Sequence, residues 1–278
     1  MNFSRSIFNE NRGVQLYYPI IDAHIHLDLY KDGACGLILD DLDTYRVEAL
    51  ISVSQDLSSA EANLKLSHKN SKVKPAFGFH PEQFLPKESE IIKLQQFIEL
   101  HQESMIAVGE IGLPYYLRKE DPNIRIEPYI ELLESFIQQA ATLDKPVILH
   151  AVYEDAPIVC TLLEEYGIKK AHFHWFKGDK KTIEQMIENR YYISITPDVL
   201  YEKEIQQLVK CYPLSLMMVE TDGPWEFEGI FKNQLTHPKM IHQTVHQIAK
   251  IKGLSITNVY QELYVNTKHF YGLDKYNM

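Results

Sequence analysis

Five of the 12 histidines in this 278-residue chain stand at or just past short apolar runs, and two of them form the unit His24-Ile25-His26. In an extended segment, residues two apart point to the same side. Both imidazoles can therefore reach one point while Ile25 packs away from it. Imidazole and carboxylate together make a borderline-to-hard donor set, suited to Zn, Mn, Fe, Ni or Mg rather than Cu(I). A lone pair of this kind is weak evidence, but here it follows Asp22 and has company. His80 lies in Gly78-Phe79-His80-Pro81 and Glu110 in Gly109-Glu110-Ile111-Gly112. His150 and His174 follow apolar runs, and Asp222 lies in Glu220-Thr221-Asp222-Gly223-Pro224. A carboxylate ending a buried run is costly unless an ion or a hydrogen-bond donor meets it. Glu110 and Asp222 thus call either for a structural ion pair or for a bound cation. Taken singly, His150 and His174 read equally well as satisfied core histidines.

The elements that must carry these groups are visible as an alternation. Apolar or β-branched runs occur at 20–23, 47–53, 73–79, 105–109, 147–149, 171–173, 192–195 and 217–219. Their brevity and unbroken apolarity suit parallel strands buried on both faces. Between them, 91–101 and 128–143 carry apolar residues at three- and four-residue spacing, as amphipathic helices do. Segments 157–166, 181–189, 202–212 and 238–251 follow later strands in the same way, and a further helix is expected over 255–264. Alternating strands and helices imply right-handed crossovers and a parallel sheet. Eight such units predict an α/β protein with a single (β/α)8 TIM-type barrel over residues 1–278, the first 19 residues forming an extension. No G-x-G-x-x-G follows a strand, which weakens a dinucleotide-binding reading. In such a barrel, chemistry belongs at the C-terminal mouth of the strands, which is where the histidines and acids fall.

Composition sets outer limits. With 45% hydrophobic and 24% charged residues, the chain is of ordinary globular type. A net charge of −10 gives no overall attraction for polyanions, so nucleic-acid binding would need a local positive site. Cys35, Cys160 and Cys211 lack C-x-x-C spacing, as free thiols of a reducing compartment do. The polar first residues carry no apolar signal core, and no run is long enough to span a membrane. A cytoplasmic protein that does not contact membranes is expected, with a monomer as the working oligomeric state. His242 and His246, four apart, lack the Glu of H-E-x-x-H and read as a partly exposed helix face. His172 reads as packing or as support for His174.

The order of these motifs resembles the TatD family of metal-dependent hydrolases, and this chain is a somewhat divergent match. Asp22-Ala23-His24-Ile25-His26-Leu27-Asp28, Gly78–Pro81, Gly109–Leu113, Val147–His150, His174-Trp175-Phe176-Lys177-Gly178 and Glu220–Pro224 carry the resemblance, with Asn266–Phe270 like the family's closing Asn motif. It covers roughly residues 20 to 273. It implies a barrel holding two divalent ions, with His24, His26, Glu110 and Asp222 around one and Glu110, His150 and His174 around the other. It also implies deoxyribonuclease activity supported by Mg²⁺. Three positions depart from the family pattern: Val152 stands where an Arg is usual, Pro114 replaces an acid, and no Arg-x-Glu-Pro follows Asp222.

On this reading Glu110 bridges the ions, a water or hydroxide between them attacks, and Asp222 is the general base. Two divalent ions can clamp the attacking and leaving oxygens of a displacement. Their charge exceeds that of both carboxylates and one hydroxide, which suits an anionic phosphoryl group better than a neutral amide. DNA or a small phosphorylated substrate is therefore the expected partner. His80 would hydrogen-bond a phosphate oxygen. Lys177 and Lys180, with Arg118 and Lys119, would form a positive rim, and Tyr115, Tyr116 and Trp175 would stack a base. Hydrolysis of an amide, lactone or other ester on the same metal barrel is the alternative, and a non-catalytic metal- or partner-binding barrel is the third reading.

Overall fold

The computed structural model describes residues 18–31 and 33–276. The expected extension therefore lies almost wholly outside the described residues. Eight parallel strands pair in sequence order: β1 (Ile20–Ile25), β2 (Val47–Ser52), β3 (Val73–Phe77), β4 (Ala107–Gly112), β5 (Val147–His150), β6 (Ala171–Phe173), β7 (Tyr192–Ile195) and β8 (Met217–Val219). All eight apolar runs are strands. Helices α1 (Ala34–Asp41) and α2 (Leu57–Lys69) follow β1 and β2, and α3 (Glu88–Leu100) follows β3. After β4 come α4 (Tyr115–Glu120) and α5 (Glu127–Thr142), with α6 (Asp155–Glu165), α7 (Lys180–Glu188) and α8 (Lys203–Cys211) after the next three strands. The chain ends in α9 (Ile241–Lys252) and α10 (Ile256–Tyr271). The expected segment 238–251 divides into a 3-10 turn at Pro238–Met240 and then α9, while α10 continues a further seven residues beyond the expected 264.

Helices α1, α2 and α4 carry no strong apolar periodicity, so the sequence pattern passes them over. Other devices set them. Asp56 caps α2 by accepting from Ser59 N–H at 2.9 Å, which satisfies a donor the helix leaves unpaired. Helix α4 takes two bonds from another loop, described with the site.

Two hydrophobic layers explain the strand composition. Strand residues such as Ile25, Leu50, Val108, Leu149 and Ile193 pack outward under the helices. Ile21, Ala23, Ala49, Ile51, Ala107, Ile148 and Met218 fill the barrel interior, with Phe270 and Tyr271 of α10 reaching the same cluster.

The barrel closes at a seam between β1 and the segment after β8. Asp222 N–H donates to His24 O at 2.9 Å and His26 N–H to Gly223 O at 2.7 Å. The buried Asp22 carboxylate stitches the same seam, accepting Thr221 N–H at 2.9 Å and the Thr221 hydroxyl at 2.5 Å. No helix among the described residues is long and apolar enough to cross a membrane.

Candidate metal centre

Strand pairing slips at three places, and two of them matter to the site. The β1–β2 register shifts between Asp22 and Ile25, and the β4–β5 register between Val108 and Ile111. An irregularity of this kind re-aims the side chains beyond it. Ile21 and Ala23 face the interior, whereas Ile25 faces the helices, so the alternation breaks within the shift and leaves His24 and His26 to turn inward. The second shift spans Glu110. Close packing of backbones supports it: a Cβ on Gly112 would stand 1.9 Å from His150 O, and one on Gly78 would stand 2.5 Å from Glu110 O.

Glu110 lies at the centre, fully buried. Its Oε2 faces His24 Nε2 at 3.2 Å and His26 Nε2 at 3.3 Å. Its Oε1 faces His174 Nε2 at 2.7 Å and His150 Nδ1 at 3.1 Å. Asp222 Oδ1 lies on the first side, 3.4 Å from His24 Nε2 and 3.6 Å from His26 Nε2. All six residues expected from the sequence to ligate metal are thus brought together. The ring nitrogens of His24 and His26 converge to 3.3 Å, and the rings of His24 and His174 stack with centroids 3.8 Å apart.

This donor set suits a cation. Buried imidazole and carboxylate atoms converge, yet Glu110 Oε2 has no hydrogen-bond partner, and an unpaired buried carboxylate oxygen is costly. Combinations able to hold an ion are His24–His26–Asp222, His24–His174–Glu220 and His80–Glu110–His150. Burial would raise the Glu110 carboxyl, but His174, His80 and His24 outweigh it and hold it well below the ordinary range. Burial likewise opposes the charged form of His150, yet Glu110 and Glu82 bring it to about 9. For His174 burial prevails, and its value falls to about 4.

Glu82 escaped the sequence reading. It sits two residues past His80 in the loop after β3, and its Oε1 lies 3.0 Å from His150 Nε2. The same carboxylate accepts Tyr116 N–H at 2.9 Å and Leu117 N–H at 2.6 Å. With Nε2–H donated to Glu82, His150 is held with Nδ1 towards Glu110 and His174, the atom that would offer its lone pair to a metal ion. No local spacing marks this role, which depends on three loops meeting.

His80 has the opposite polarity. Its Nδ1 accepts Glu82 N–H at 3.2 Å, so the neutral ring carries its proton on Nε2, 3.5 Å from Glu110 Oε1. Burial drives its value down to about 3, keeping it neutral.

Beneath the site runs a buried polar chain. Tyr271 OH lies 2.7 Å from His172 Nδ1, His172 Nε2 lies 2.5 Å from Ser194 Oγ, and Ser194 donates to Glu220 Oε2 at 2.5 Å. Glu220 Oε1 accepts Trp175 N–H at 2.8 Å and lies 3.9 Å from His174 Nδ1. His172 therefore belongs to the supports under His174.

The rim differs in part from the expectation. Arg118 pairs with the buried Asp155, so its guanidinium is committed to α6. Lys180 pairs with Glu184 on its own helix at 3.4 Å. Lys177 Nζ stands 4.9 Å above the Trp175 ring, and Lys119 stands 5.3 Å above Tyr115. Tyr115 packs against Tyr116 and Tyr153, and Tyr116 comes within 6.2 Å of the His150 ring, centroid to centroid. Val152 is buried. His242 is not partly exposed but buried, bonded to Tyr260 OH at 2.8 Å and Tyr45 O at 2.9 Å; only His246 faces solvent. The helix turns one histidine inward because α10 and the loop before β2 supply its partners.

Comparison with known proteins now decides the family. A family model described as TatD related DNase matches residues 21–272. The chain belongs to the TatD family. An uncharacterized metal-dependent hydrolase of Haemophilus influenzae is 38% identical over 256 residues, covering 91% of this chain and 100% of that protein. The human protein named deoxyribonuclease TATDN3 is 30% identical, over 86% of this chain and 90% of its own length. The crystal structure of YJJV, a TatD homolog from Escherichia coli, superposes with a TM-score of 0.82 at 23% identity, covering 91% and 98% of the two chains. As a TatD family member this chain is a metal-dependent hydrolase in the form of a TIM barrel.

Proposed function

We propose that this TatD barrel is a phosphodiesterase acting on DNA that would use two divalent ions, with Glu110 as a ligand common to both. The observation that carries the proposal is the division of labour within that carboxylate. Oε2 faces the His24–His26 pair and Oε1 faces the His150–His174 pair. A single carboxylate between two sets of imidazole nitrogens is the arrangement a bridging ligand needs. On this reading His24, His26, Glu110 and Asp222 hold one ion, and Glu110, His150 and His174 the other. Divalent ions bound there would supply Lewis-acid charge and make water acidic enough to attack near neutral pH.

The chain's own residues then divide the remaining work. Asp222, against His24 and His26, stands where a carboxylate oxygen can take the proton of the attacking water. His80, protonated on Nε2, offers that hydrogen to a phosphate oxygen. Lys177 adds a cation at the mouth. Arg118, tied to Asp155, positions α4 and Tyr115 rather than reaching substrate. The buried walls keep bulk water from competing for these donors.

The test uses end-labelled single-stranded DNA and metal-stripped protein, with Mg²⁺ or Mn²⁺ added back and Asp222→Asn as control. A metal-dependent ladder absent from the variant is expected, and the label lost first gives the direction. If the metal-loaded wild type left DNA intact but hydrolysed neutral esters, the phosphodiesterase reading would be replaced by the ester-hydrolase one.

A further inference from the structure

We propose that Trp225 and Trp175 form a shelf at the barrel mouth on which an unpaired nucleobase of the substrate stacks, with Lys177 receiving an adjacent phosphate. The proposal rests on the phosphodiesterase reading and deepens it.

The chain has two tryptophans, and both stand beside residues of the candidate metal centre. Trp175 directly follows His174, and Trp225 lies three residues past Asp222. Their rings meet edge to face with centroids 5.4 Å apart. Lone exposed aromatics are ordinary on protein surfaces, but these two are held from several sides. Trp175 donates its backbone N–H to Glu220 and its indole N–H to Asp198 Oδ2 at 2.6 Å. Its φ of +39° lies in the left-handed region, which a bulky residue occupies only when its surroundings impose it.

The backbone of Trp225 is pinned as well. Its N–H donates to Asp222 O at 3.1 Å, and its carbonyl accepts the Thr236 hydroxyl. Two residues on, Phe227 is buried against Phe231 and Met240. Yet the Trp225 side chain remains 57% exposed. A pinned loop that presents a large aromatic ring to solvent beside the catalytic carboxylate offers stacking area with little ordering left to do on binding. Every nucleobase has a π face, so such a platform is tolerant of sequence. Bases inside a duplex are already stacked, which directs the shelf to a single-stranded end. Lys177, whose ammonium lies 4.9 Å from the Trp175 ring, completes it with positive charge.

Because both tryptophans lie here, intrinsic tryptophan emission reports on this shelf alone. The experiment titrates Mg²⁺-loaded Asp222→Asn protein, which leaves the DNA whole, with a ten-nucleotide dT strand. An abasic tetrahydrofuran strand of the same length and charge serves for comparison. Quenching by the first and not the second is expected. Turnover is measured in parallel on the wild-type background: Trp225→Ala should lower kcat/KM for the dT strand by about tenfold or more, Trp225→Phe should recover most of it, and the abasic strand should be cut equally by all three. Equal quenching by both strands, or unchanged turnover in Trp225→Ala, would overturn the shelf while leaving the nuclease intact. Failure of the wild type to cut either strand would instead remove the phosphodiesterase reading and the shelf with it.

Discussion

At the scale of single residues, the centre depends on groups that hold other groups. Glu82 is the clearest case, because it touches both His150 and the start of α4. Outer partners of metal-binding imidazoles commonly govern affinity by about 10- to 100-fold. Glu82→Ala is therefore expected to weaken Mn²⁺ binding by about that factor, and Glu82→Gln, which can still accept from His150, by less. Calorimetric titration of the metal-stripped proteins measures this without reference to turnover. Unchanged affinity in Glu82→Ala would show that His150 is oriented by its own packing. Glu110→Ala should do far more, removing the group that faces both histidine pairs and losing activity with at least one ion.

Elements meet at sites where one buried side chain does the joining. Asn266 on α10 donates from a single amide nitrogen to Leu214 O and Met217 O, both at 2.8 Å, and so fixes the entry to β8. Asn266→Ala removes both bonds, although Leu214 O keeps the Met217 N–H, and a loss of about 1–3 kcal/mol is expected from denaturant unfolding. His242 joins α9 to α10 and to the loop before β2. Its Nε2–H donates to Tyr45 O, so its Nδ1 accepts from Tyr260 OH. Burial lowers its value from 6.5 to about 4. The folded state thus holds it neutral while the unfolded chain protonates it below pH 6.5. Its contribution is complete above pH 6.5 and is lost as pH falls towards 4. The stability difference between wild type and His242→Gln should shrink across that window by on the order of 2 kcal/mol. A difference independent of pH would show that the ring is not held neutral.

For the whole molecule, charge and metal act together. The net charge of −10 opposes a polyanionic substrate, so attraction must arise at the mouth and be short in range. Cleavage of single-stranded DNA should fall as salt rises, and a flat salt profile would argue for a neutral substrate. Ions that bind only the folded barrel stabilise it by mass action, about 2.7 kcal/mol at one hundred times Kd. Chelation should therefore lower Tm by several degrees, and Glu110→Ala should lose most of that response.

What the sequence determined by itself was the local pattern: eight apolar runs, the helices with clear periodicity, and the acids and histidines at the strand ends. Each of these is written in neighbouring residues, where the alternation of side chains and the cost of burying charge can be reckoned directly. The tertiary structure decided whatever depends on distant residues meeting. Asp22 and Thr221 close the barrel across 199 positions, and Glu82 reaches His150 across 68. Register shifts in β1 and β4 turned His24, His26 and Glu110 inward against simple alternation. Arg118, expected at the rim, was drawn to Asp155, and Trp225, three residues from Asp222, met Trp175 only once β8 lay near β6. Periodicity is a property of adjacent residues, whereas partnership in a barrel is set by closure, which brings together the ends of eight separate strands.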